Sequence, residues 1–96
     1  MDTSTPALLR LTVAALMHAT GETQADLGAG LRVSQAQISR RQSGRSDWSL
    51  ADLDALARHY ALRVPDLLRG PTEAVRALPP ARLAPAAGGT QTTVPV

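Results

Sequence analysis

Gln35, Ala36, Ser39 and Arg40 are spaced i, i+1, i+4 and i+5 near the middle of the chain. At about 100° per residue that spacing gathers them on one face of a helix. Glutamine and arginine side chains each carry paired hydrogen-bonding groups, which match the edges of adenine and guanine in a major groove. Arg45 lies just beyond this face, where a guanidinium suits a phosphate. Each residue also has a plainer role: Arg40 and Arg45 as solvated charges, Gln35 as the first helical residue behind a cap. Residues 32–45 nevertheless hold Arg32, Arg40, Arg41 and Arg45 with no acid among them, although the net charge of the chain is only +2. A local basic stripe of this kind favours a polyanionic partner.

Other reactive side chains assemble no catalytic set. Asp52 and Asp54 are two residues apart and cannot face each other on a helix. His18 and His59 are isolated, and the chain has no cysteine, so no metal ligands, cofactor site or disulfides are expected. Ser34 and Ser39 have no neighbouring base to activate them. The sequence therefore predicts no enzyme. It also contains no apolar run of about 18 residues that could cross a membrane, and a cytoplasmic protein, associated with the nucleoid if it binds DNA, is expected.

Helices must position these groups. Thr5 ahead of Pro6 predicts an N-cap with proline at the first helical position, and Leu9, Val13 and Leu16 follow at helical spacing up to Gly21. Thr23 with Asp26, Ser34 with Gln37 and Ser49 with Asp52 each have capping-box spacing. They predict helices over Gln24–Leu31 and Gln35–Ser43, separated by only Arg32, Val33 and Ser34, and a fourth with Leu50, Leu53, Leu56 and Tyr60 on one face. The short connection makes the middle helices cross steeply, with Leu27, Leu31, Val33 and Ile38 in the angle. A fifth helix begins near Pro65 and carries Leu67 and Leu68. Trp48 and Tyr60 are expected in the core. Residues 71–78 suit two further turns of helix, with Val75 and Leu78 on one side. Residues 79–96, rich in proline, glycine and threonine, read as a disordered tail dispensable for folding.

These residues resemble the Cro/C1-type (XRE, lambda and 434 repressor-like) helix-turn-helix family. Thr23-Gln24-Ala25-Asp26-Leu27 is similar to the opening of the family's second helix, and Val33-Ser34-Gln35-Ala36-Gln37-Ile38-Ser39-Arg40 to its turn and recognition helix. Gly44-Arg45, Ser49-Leu50 and the segment from Leu62 to Leu68 fit its later connections, so the likeness spans about two-thirds of the chain. It implies an all-α, compact five-helix DNA-binding domain over residues 1–70. It also implies a role for Gln24 in holding phosphate and bracing Gln35. Base edges would be reached by Gln35, Ala36 and Arg40. Ser34, Gln37, Ser39, Ser43 and Arg45 would add backbone or further base contacts. A homodimer, free or formed on an inverted-repeat operator, would use Val64, Leu67, Leu68, Val75 and Leu78. The function implied is a transcriptional regulator, a repressor first. An antitoxin or protein-interaction adaptor, with a partner bound through the tail, is the alternative.

Six positions depart from the family pattern. Arg32 occupies the usual turn glycine, while Gly28 and Gly30 lie inside the second helix. Gln42 and Met17 replace a common glutamate–arginine pair, and Arg41 occupies a position that is often apolar.

Overall fold

The first helix starts at a serine whose side chain accepts a hydrogen bond from the backbone N–H of Ala7 at 3.3 Å. That cap is Ser4, one residue before the expected Thr5. Pro6 then sits at the second helical position, where its missing N–H has no intrahelical partner to lose. In this computed structural model, which describes residues 4–84, the chain forms α1 (Thr5–Thr20), α2 (Gln24–Leu31), α3 (Gln35–Ser43), α4 (Leu50–Tyr60), α5 (Val64–Leu68) and α6 (Pro71–Ala77), then a 3-10 turn over Pro80–Arg82. No strand occurs among the described residues, so they are all-helical. No helix is long and apolar enough to cross a membrane.

The three capping boxes set the starts of α2, α3 and α4 as their spacing predicts. The Thr23, Ser34 and Ser49 side chains accept from the backbone N–H three residues on, and Asp26, Gln37 and Asp52 reach back to the cap N–H. Gly21 and Gly44 close α1 and α3 with φ of 77° and 86°, a left-handed conformation natural to glycine.

α1 packs against α3, α5 and α6, while α2 lies on α3 and α4. Leu9, Val13 and Leu16 of α1 meet Leu27, Ile38, Leu56, Tyr60 and Leu67 in one core. Trp48 and Tyr60 are buried there. Leu31 and Val33 pack at its margin.

The structure corrects three further expectations. Leu50 is 83 % exposed, because a side chain at the first position of a helix leans toward the N-terminus and here passes the edge of the core; Ala57 takes its place on the buried face. α6 makes the folded unit six-helical, sealed by Ala74 and Leu78. Residues 79–84, expected to open a tail, dock instead: the Ala84 N–H donates to the Ala19 carbonyl at 2.9 Å. The rest of the expected disordered tail, residues 85–96, lies outside the described residues.

Candidate nucleic-acid interface

Helix α3 has one fully buried residue, Ile38. Gln37, Arg41 and Gln42 are half-buried beside it, whereas Gln35, Ala36, Ser39, Arg40 and Ser43 are exposed. At about 100° per residue the exposed five span an arc of about 140°. The face read from spacing is thus one continuous outer surface, and the opposite side of the helix is tied down.

That attachment uses Gln42 and Arg41. Gln42 Nε2 donates to the Arg10 carbonyl of α1 at 3.1 Å, and Gln42 Oε1 accepts from Trp48 Nε1 at 3.0 Å. One neutral amide therefore links α3 to α1 and to the loop before α4. Arg41 Nε donates to Asp52 Oδ2 at 2.9 Å, and its guanidinium lies 5.6 Å from the Trp48 ring centre. Arg41 is thus a structural cation between α3 and α4, with its charge already partnered.

The remaining basic residues divide by partner. Arg10 faces Asp47 at 3.8 Å, whereas Arg32, Arg40 and Arg45 form no ion pair among the described residues. Arg45 is exposed just past the Gly44 cap, its backbone N–H bonded to the Arg40 carbonyl at 2.9 Å. Its side chain therefore leaves from a fixed point at the end of α3.

Of the other predicted site residues, Ser34 and Gln37 are committed to capping: Gln37 Oε1 accepts from the Ser34 N–H at 2.9 Å. The Ser43 hydroxyl donates to the Arg40 carbonyl. Ser39 is exposed and makes no side-chain hydrogen bond among the described residues. Gln24 is the half-buried first residue of α2, and no hydrogen bond joins it to Gln35 there. Asp26, next along α2, is held below the ordinary carboxylate range by hydrogen bonds from the Thr23 backbone and side chain.

Both unusual glycines of α2 have a steric cause. A Cβ on Gly28 would stand 2.7 Å from the Val33 carbonyl oxygen, and one on Gly30 would overlap the His59 ring. These positions let the turn fold back on α2 and let α4 approach it. Arg32 has φ 62°, so the turn keeps the left-handed conformation without glycine. A cleft of about 450 Å³ opens here, lined by Gly30, Leu31, Arg32, Ala55, Arg58 and His59. None of the exposed α3 side chains borders it.

The chain matches no family model, no curated protein and no solved structure.

The residues expected at a dimer contact fall into two groups. Leu67 and Leu78 are buried in the core, whereas Leu68 is 44 % exposed. Val64 and Val75 are partly buried. Sequence reasoning passed over Glu22 and Arg82 and left His59 unassigned. These three converge although 37 and 60 residues separate Glu22 from His59 and Arg82, and no local pattern announces such a meeting.

Proposed function

We propose that this chain is a sequence-specific DNA-binding regulator with a lambda-repressor-like helix-turn-helix fold, and that α3 enters the major groove. The observation that carries the reading is the division of α3 into an anchored side and an open side. Ile38, Arg41 and Gln42 hold the helix, while Gln35, Ala36, Ser39 and Arg40 stand together on its outer arc. A rigidly held helix with exposed glutamine and arginine is suited to base edges, and Arg45 beyond it is suited to phosphate. Gln35 and Arg40 are the base readers. The Ala36 methyl suits a thymine methyl, and Gln24 at the start of α2 meets the backbone.

Recognition by one short helix covers few bases, so two copies bind an inverted repeat through helices about 34 Å apart. Leu68, with Val64 and Val75 at its margin, supplies the apolar contact between copies. Occupancy of such a site blocks transcription when it overlaps a promoter.

Selection from a pool of random duplexes tests the reading. The wild-type protein should enrich an inverted repeat with half-site centres about 10 base pairs apart. Arg40→Ala should lose the preference at one position of each half-site. Failure of the wild-type protein to enrich any sequence, with the protein folded, would refute it.

A further inference from the structure

The turn between α1 and α2 is gripped from two sides. Glu22 carries only 14 % of its side chain to solvent. Its carboxylate meets His59 Nε2 of α4, accepts from Thr20 Oγ1 at 3.1 Å and lies 4.0 Å from the Arg82 guanidinium. Arg82 belongs to the 3-10 turn, and its guanidinium stands 6.0 Å from the Tyr60 ring centre. Two residues later the Ala84 N–H bonds to the Ala19 carbonyl, and Ala84 packs on Gly21, where a Cβ would stand 3.3 Å from its own. The arm over residues 79–84 thus returns to residues 19–22, immediately before the cap that starts α2.

We propose that this arm is a brace that fixes the entry into α2, and that Arg82 is a positioning residue acting through Glu22. The chain has only Gly21, Glu22 and Thr23 between the two helices, so anything that holds Glu22 also sets the direction from which α2 begins. Tyr60 Oη and Arg82 Nε are buried without a hydrogen-bond partner among the described residues. Burial, and then the Glu22 carboxylate, push the Tyr60 phenol above its ordinary range, so the phenol stays neutral beside Glu22. The arm reaches residues 19–22 through one backbone hydrogen bond, one long ion pair and the Ala84–Gly21 contact, so releasing it gives up little beside what holds the helices together. Its consequence for DNA rests on the function proposed above: release would loosen the end of α2 that meets the phosphate backbone, although no arm residue touches DNA.

Amide hydrogen exchange on the full chain tests the brace without DNA. Arg82→Ala should speed exchange about tenfold at the bonded amides of Glu22, Thr23 and Leu27 while leaving the amides of Leu16, Ile38 and Leu56 unchanged. Arg82→Lys should restore part of the protection. On duplex DNA, Arg82→Ala should weaken binding about three- to tenfold without changing the salt slope, because no phosphate contact is lost. Unchanged exchange at Glu22, Thr23 and Leu27 would overturn the brace, and so would exchange that rises equally across the core. A salt slope reduced by about one unit would show Arg82 to be a phosphate ligand instead. If the wild-type protein binds no duplex, the DNA reading fails, while the exchange data still decide the brace.

Discussion

Arg32 leaves α2 with a φ of 62°, a conformation that costs an L-residue roughly 1–2 kcal/mol. Glycine would adopt it freely but at a greater loss of unfolded-chain entropy. Arg32→Gly is therefore expected to raise stability by roughly 0.5–1 kcal/mol, read as a higher denaturant midpoint at unchanged slope. An unchanged or lower midpoint would mean that the arginine side chain contributes at least as much as its backbone costs. In the proposed DNA complex Gln35, Arg40 and Arg45 separate by role. Loss of Gln35 or Arg40 to alanine should cost about 1–3 kcal/mol on a selected site and much less on random duplex. Arg45→Ala should weaken both alike and lower the salt slope by about one unit. Equal losses on both duplexes for Arg40→Ala would remove it from base reading. Gln35 and Arg40 were legible in the sequence because helical spacing alone puts them on one face, and Arg45 because it follows that helix directly. The commitment of Arg41 to Asp52 and Trp48 was not legible, since it depends on how α3 meets α4.

Helices α2, α3 and α4 begin where their capping boxes place them, because a cap is a contact across only three residues. Asp26 adds a pH dependence to the start of α2. Its folded carboxyl is held below the ordinary value of 3.8 by Thr23, so the unfolded chain takes up that proton first as pH falls. The contribution is complete above the unfolded value and is lost as pH drops through the folded one. Asp26→Asn should therefore lower the urea midpoint most at neutral pH, and the difference should shrink in acid. A difference constant with pH would argue against the carboxylate. Gln42 shows the opposite kind of information. Its partners lie 32 residues back and six ahead, distances at which local pattern carries no signal. Gln42→Ala leaves the Trp48 indole and the Arg10 carbonyl to find new partners, and should cost about 1–3 kcal/mol.

Across the whole molecule, the largest departure from expectation is the arm. Proline-rich composition pointed to a tail, and nothing local to residues 79–84 signals the Glu22 and Ala19 groups that receive them. A chain ending at Pro79 should thus lose roughly 1–2 kcal/mol of stability, where composition alone predicted no change; an unchanged melting temperature would return the segment to that simpler reading. The proposed dimer contact rests on Leu68, since Leu67 and Leu78 are spent in the core. Leu68→Glu should weaken binding to a full inverted repeat far more than to a single half-site, as followed by band shift. Equal effects on the two would remove α5 from the dimer contact. The central claim, that the outer arc of α3 faces DNA, is tested most directly by titrating isotope-labelled protein with a selected duplex and following its amide resonances. The account predicts that the largest shifts fall on Gln24, Gln35, Ala36, Ser39, Arg40 and Arg45, with the cleft beside Arg58 little changed. Shifts centred on that cleft or on α6, with α3 unmoved, would contradict it.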